Sequence, residues 1–206
     1  MKKFSKLSLL VCTMLVVALF AGCAKKFDAS SYLQAALDNS YKNDPSLYVK
    51  QKVCTEEEAN KIYEQGIDKE LSGLTSQLSM SDDLKAKYRT FIQDIFKAAD
   101  YTVKDAKKED GKYIVTVEYK KLKVFQEAAK AFTEQSKDID NSKYETTDAY
   151  SEAVAQLYLD LLQAELDKKS YGDTESTTVT IAAQNKVYTP NTNDLMKLEL
   201  ALFDIQ

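Results

Sequence analysis

At 206 residues the chain is long enough for one domain, or two small ones, with a sizeable apolar core and no need of staples. The formal charge is −4 and histidine is absent, which excludes an imidazole base, a Ser-His-Asp triad and a His-based zinc site. Five glycines include no phosphate-cradling cluster, and an acidic chain lacks the basic face that nucleic acid requires, so neither a nucleotide cofactor nor a nucleic-acid partner is expected.

The first 22 residues read as a lipoprotein signal peptide. Lys2, Lys3 and Lys6 supply the positive start, Leu7 to Phe20 is uncharged, and Phe20-Ala21-Gly22-Cys23 ends it as a lipobox with small residues before a cysteine. As a helix, Leu7 to Phe20 would span about 21 Å, short of the roughly 30 Å of hydrocarbon that a permanent span must cross. Cys23 is therefore the expected lipidation site, with palmitate-type chains. Removing the leader takes three of the 28 basic residues and none of the 32 acidic ones, leaving 25 against 32 and a net charge of −7. Once Cys12 has left and Cys23 carries lipid, Cys54 stands alone, so no intramolecular disulfide is possible. Lacking an activating base, Cys54 reads as a structural thiol.

Residues 23–27 form a tether with a reach of at most roughly 15 Å. Lys25 and Lys26 lie in it, facing anionic head groups. Residues 28–206 then read as a single α+β domain. Asp28 to Asn43 has helical spacing through Tyr32, Leu33, Ala36, Leu37 and Tyr41, with Asp28 as N-cap. Ser46 to Cys54 fits either one helical turn or a short extended piece and is taken as a connector. Thr55-Glu56-Glu57-Glu58 is a capping box opening a long helix through Leu78. Gly66 and Gly73 share a face of it, marking either a close neighbour or an unoptimised surface. Ser81 caps a further helix, with Leu84, Tyr88, Phe91, Ile92, Ile95 and Phe96 on its apolar stripe, so the pair predicts an antiparallel helical hairpin.

The period then switches to alternation. Tyr101 and Val103, then Tyr113, Val115, Val117 and Tyr119, flank Asp110-Gly111 and predict a β-hairpin. The apolar parity slips after Tyr119, which predicts a bulge near Lys120 and Lys121. Phe125 to Ser136 returns to helix. Thr147 or Asp148 starts another helix that runs to Leu166, with Lys168, Lys169 and Gly172 as stop signals. Val179, Ile181 and Ala183 form a strand, Gln184-Asn185-Lys186 a turn, and Val187-Tyr188 a return strand. A last helix is capped near Asn193. Helices followed by a hairpin occur at 28–125 and again at 147–190, giving helical hairpins packed on a small antiparallel sheet; subdomains 28–125 and 126–206 are the alternative arrangement.

Candidate chemistry is sparse. Asp138-Ile139-Asp140-Asn141-Ser142 begins like a calcium loop, but Lys143 stands where glycine is needed and Ala149 where a bidentate glutamate should be, so a solvated acidic loop is expected and no metal. Paired carboxylates could hydrolyse glycosides, yet no spacing selects a pair. Of the thirteen tyrosines, Tyr32, Tyr63, Tyr88, Tyr150 and Tyr158 fall on apolar helix faces and read as core. Tyr48, Tyr144 and Tyr171 fall in connectors and are the candidate ligand-binding residues, since a tyrosine stacks on a sugar ring or peptide while its hydroxyl hydrogen-bonds.

The lipobox Phe20 to Cys23, the start Phe27-Asp28-Ala29-Ser30 and the hairpin Tyr101-Thr102-Val103-Lys104 to Gly111-Lys112-Tyr113-Ile114-Val115-Thr116-Val117 together resemble a family of small uncharacterised lipoproteins of Gram-positive gut bacteria. The resemblance implies attachment to the outer face of the cytoplasmic membrane and supplies no catalytic residue. The expected function is a non-enzymatic binding or accessory module of the cell envelope, with a membrane protein or wall polymer as partner. A carboxylate-dependent envelope enzyme acting on glycan or wall polymer is the alternative.

Overall fold

The computed structural model describes residues 19–20, 27–75, 80–184 and 187–205. Cys23, the leader apart from Leu19 and Phe20, the tether up to Lys26, the predicted helix end at Leu78, and Asn185 and Lys186 of the predicted turn lie outside the described residues.

The elements run α1 (Ala29–Leu37), α2 (Ser46–Lys50), α3 (Glu56–Thr75) and α4 (Asp82–Lys97), then β2 (Asp100–Glu109) and β3 (Lys112–Leu122). There follow α5 (Val124–Gln135), α6 (Thr147–Lys168), β4 (Tyr171–Gln184), β5 (Val187–Pro190) and α7 (Thr192–Leu202), while a two-residue β1 (Leu19–Phe20) precedes them all. The sheet is antiparallel in the order β1-β5-β4-β3-β2, and the fold is α+β.

One face of the sheet carries the core. Val115, Val117 and Tyr119 of β3 and Val179 and Ile181 of β4 are buried against Leu33 and Leu37 of α1, Ile95 and Phe96 of α4, and Leu198 and Leu202 of α7. Each such aliphatic side chain contributes on the order of 1.5–3 kcal/mol by leaving water. The opposite face is polar, crossed by the ion pairs Lys104–Glu118 at 2.8 Å and Lys120–Asp100 at 3.0 Å. Helices α5 and α6 form an outer hairpin, joined by Phe132 and Tyr158 at 5.3 Å and tied to α4 where the Tyr88 hydroxyl donates to the Ala155 carbonyl at 2.8 Å.

Helix starts follow the predicted capping chemistry. Asp28 accepts from the Ser31 amide at 3.0 Å, and the Thr55 amide and Glu58 carboxylate bond at 2.8 Å while Thr55 Oγ1 accepts from the Glu58 amide at 3.2 Å. Ser81 caps α4 through the Leu84 amide. Helices α3 and α4 are clamped by Arg89, which reaches both Glu64 and Asp68. Asp110 and Gly111 both take positive φ, +47° and +77°, as a tight I′ hairpin turn needs. The predicted slip appears as a register shift between Lys120 and Leu122 where β3 meets β4.

Several expectations are corrected. Ser46 to Lys50 is a helix, α2, not a connector, because Leu47 and Tyr48 pack inward. Strand β4 begins at Tyr171, eight residues before Val179; the run Gly172 to Thr178 has no apolar alternation to betray it, and its pairing with β3 carries it. Lys169, at φ +47°, takes the left-handed cap of α6, while Gly172 belongs to the strand. The cap of α7 is Asn191, two residues before the predicted Asn193, whereas α6 starts at Thr147 as expected, capped by Thr146. Gly66 has no neighbour within 4 Å of a built Cβ, so it marks open surface and not close approach. Leu19 and Phe20, read as part of an apolar helix, are extended and pair with Val187 and Tyr188, because the free edge of β5 offers backbone partners.

Candidate functional site

The most differentiated surface lies where α4 and α6 end and β2 and β4 begin. Helix α1 does not stop at Leu37 but opens into a π-turn, Asp38–Lys42, closed by Asn43 in the left-handed region at φ +51°. The wider turn brings Tyr41 into the core at 1 % exposure and sends Lys42 to the end of α4. Single π-turns of this kind recur at functional sites.

There the last carbonyls of α4 are satisfied by side chains from two distant segments. Lys42 Nζ donates to the Lys97 carbonyl at 2.6 Å and also to that of Ala99, and the Tyr171 hydroxyl donates to the Ala98 carbonyl at 2.7 Å. A cation at the negative end of a helix dipole is favourable, and the hydroxyl completes the cap. Lys42 also sits 5.4 Å above the Tyr101 ring. The Tyr101 hydroxyl donates to Asp38 Oδ1 at 2.8 Å, and Gln34 donates to the same oxygen at 2.7 Å. Burial pulls the Lys42 ammonium below its ordinary value against the opposing charges of Asp38 and Asp100. Burial, then the Asp38 charge, pushes the Tyr101 phenol up, and burial does the same to Tyr171.

Above this base is a groove of about 590 Å³ whose lining includes Asp94, Lys97, Asp100, Asp167, Lys169 and Tyr171. Asp94 and Lys97 stand 4.0 Å apart, and Asp100 is held by Lys120, the Asp94 and Asp100 side chains being 46 % and 43 % exposed. The groove thus offers charges of both signs beside an aromatic wall, an arrangement that suits a polar or zwitterionic ligand.

The three predicted tyrosines do not form one site. Tyr48 is 1 % exposed in α2 and cannot present its ring. Tyr144 sits before the start of α6, edge-on to Tyr150 at 5.6 Å, whereas Tyr171 lies beyond its far end. A helix of 22 residues separates them by about 33 Å. Only Tyr171 lines the groove, as the first residue of a strand rather than in a connector. Lys42 and Tyr101 were missed as site residues: the π-turn leaves no periodic signature, and Tyr101 reads as an ordinary strand residue. In the acidic loop, Asp140 Oδ1 accepts from the Ser142 amide at 3.0 Å and its hydroxyl at 2.7 Å, so that carboxylate caps a short 3₁₀ turn.

A second opening of about 700 Å³ lies beside the start of α1, between Asp28, Ser30 and Gln34 and the strand residues Asp105 and Tyr113. Cys54 is half-buried, and burial, then the Glu58 charge, pushes its thiol up, away from the reactive thiolate. No helix among the described residues is long and apolar enough to cross a membrane.

No known protein family matches the chain, and no curated protein matches it in sequence. Among solved structures, a crystal structure from Bacillus subtilis subsp. subtilis str. 168, of a protein named "putative lipoprotein", aligns with a TM-score of 0.52 at 15% sequence identity. The match covers 85% of this chain and 56% of that one, so this chain spans little more than half of its structural neighbour. At that identity the likeness is one of fold.

Proposed function

We propose that the protein is a lipoprotein, held at the outer face of the cytoplasmic membrane through Cys23, that works as a non-enzymatic binding or accessory module of the envelope. The leader and lipobox support the address, as does the shared fold with a protein that is itself named a lipoprotein. The observation that carries the binding role is the groove at the ends of α4 and α6. Its base is fixed by Lys42, Tyr101 and Tyr171, each committed to a structural partner, while its rim carries Asp94, Lys97 and Asp167 at the surface. The ligand class we assign is a short peptide or sugar fragment of the wall, and the module belongs to the Gram-positive lipoproteins that the sequence resembles.

Calorimetry of the mature domain with muropeptide and wall-glycan fragments tests this. Binding that Lys97→Ala and Asp167→Ala each weaken at least several-fold is the expected result. Turnover of a glycan fragment, lost in Asp94→Asn or Asp100→Asn, would replace this reading with the carboxylate-dependent enzyme. Absence of binding, with one membrane protein repeatedly crosslinked in cells, would replace it with docking on that partner.

A further inference from the structure

We infer that the end of the sheet carrying Phe27 and the β2–β3 turn is the membrane-contacting surface, so that the groove is held pointing away from the bilayer. The inference rests on the lipid anchor at Cys23 and adds to it a direction.

Phe27 is pinned. Its ring lies flat on Tyr188 at 3.6 Å with an interplanar angle of 1°, meets Tyr113 edge-on at 5.2 Å and stands 5.6 Å from Tyr32. Tyr32 in turn donates its hydroxyl to the Tyr188 carbonyl at 3.3 Å. Tyr113 is the second residue of β3, directly after the Asp110-Gly111 turn, and Tyr188 pairs with Ala183 near the far end of β4. The β2–β3 turn and the paired ends of β4 and β5 therefore lie at the end where Phe27 is fixed. Only four residue steps separate Phe27 from Cys23, which limits their separation to about 14 Å. An acyl chain on Cys23 thus holds this end against the head groups. The groove begins at Asp100 and Tyr171, the opposite ends of β2 and β4, and the ten residues of β2 span about 33 Å. The tether is less than half that length, so it cannot serve both ends.

The chemistry of the pinned end fits a lipid surface through rings rather than charge. Phe27, Tyr113 and Tyr188 form a half-buried aromatic cluster, and amphipathic rings favour the head-group layer. Around them Lys107, Lys108 and Lys112 are exposed, with Lys108 5.5 Å from the Tyr113 ring, and Asp28, Asp105, Glu109 and Asp110 are exposed at the same end. Those charges nearly cancel, which leaves Lys25 and Lys26 of the tether as the basic pair at this end, so anionic lipid should strengthen the contact only modestly.

The test uses the full lipidated protein in phosphatidylcholine vesicles, with and without phosphatidylglycerol, carrying an energy acceptor at head-group level. In a Cys54→Ser background, a donor dye is placed at Lys108→Cys or, in the groove, at Asp167→Cys; Lys112→Cys repeats the proximal reading should the first variant misfold. Transfer several-fold stronger from the proximal sites, both with and without phosphatidylglycerol, is expected. Membrane-bound protein with equal transfer from both ends, or stronger transfer from Asp167→Cys, overturns the orientation while leaving the anchor intact. Protein that partitions onto vesicles no better than a Cys23→Ser version overturns the anchor, and the orientation with it.

Discussion

At the Phe27 end of the sheet the contacts are mainly rings on rings, beside a long hydroxyl bond from Tyr32 to the Tyr188 carbonyl. At the other end the rings of Tyr41, Phe96 and Phe203 are joined by a polar set, in which Lys42 and Tyr171 fill the carbonyls of α4 and Tyr101 holds Asp38. Ring contacts tolerate sliding, whereas a partly buried hydrogen-bond set is satisfied in few geometries. The first is suited to attachment and the second to keeping a binding surface fixed, and the two can be loosened separately.

The largest effect should come from Tyr41→Ala. Its ring is 1 % exposed and meets Phe96 at 5.4 Å, Phe203 at 5.7 Å and Tyr101 at 5.9 Å, so truncation should cost about 3–5 kcal/mol. Urea unfolding measures this. A cost under about 1 kcal/mol would mean that the polar set alone holds the groove end.

Alkaline pH should act next, on the groove end through Tyr101 and on the contact of α4 with the outer hairpin through Tyr88 and Tyr158. Burial pushes the phenol of Tyr158 up to about 12 and those of Tyr88 and Tyr101 well above the ordinary value of 10.0. The unfolded chain loses these protons above pH 10 while the folded chain keeps them, so stability is flat below that point and falls as pH rises. Each of the three should cost about 1.4 kcal/mol by pH 11. Lys42 has the opposite sign: held below 10.5 by burial, it gives back a little stability as pH climbs toward that value. Urea midpoints between pH 8 and pH 11 check the slope; a midpoint that does not fall above pH 10 would show that these hydroxyls are wet.

Lys42→Met keeps the aliphatic stem and removes the charge from the end of α4. A loss of about 1–2 kcal/mol is expected, with weaker ligand binding at the groove and unchanged vesicle contact. If binding is unaffected, the groove does not depend on the cap beneath it.

The two ends also differ in how far they could be read from sequence. The hairpin, its Asp-Gly turn and the apolar parity of Tyr113, Val115 and Val117 follow from local pattern, and so do the caps at Asp28, Thr55 and Ser81. The groove end does not. Lys42 and Ala99 are 57 residues apart, and Tyr171 and Ala98 are 73 apart, so no window of sequence holds both partners. Tyr48 had the local marks of a connector residue and proved to be core because α2 folds back on α1. Tyr171 reads from sequence as a connector residue, yet it lines the groove as a strand residue capping α4. Helix propensity gives no sign of the π-turn that makes the set possible, since one extra residue in a turn changes direction without changing composition.

The smallest effect belongs to the Phe27 end and separates it most cleanly from the other. Phe27 and Tyr188 are half-buried, so Phe27→Leu and Tyr188→Leu should each cost little on their own. Their stacking should still appear as a coupling of about 0.5–1.5 kcal/mol in a double-mutant cycle, because two rings in contact gain more than the area they bury. A cycle between Phe27→Leu and Lys42→Met should give no coupling within about 0.3–0.5 kcal/mol, since distant sites without shared partners are additive. Coupling of the first pair alone would establish that the ends are mechanically independent, so that attachment can strain one without disturbing the other. Coupling of the second pair would mean that the strands transmit such strain, and that what happens at the aromatic cluster is felt in the groove.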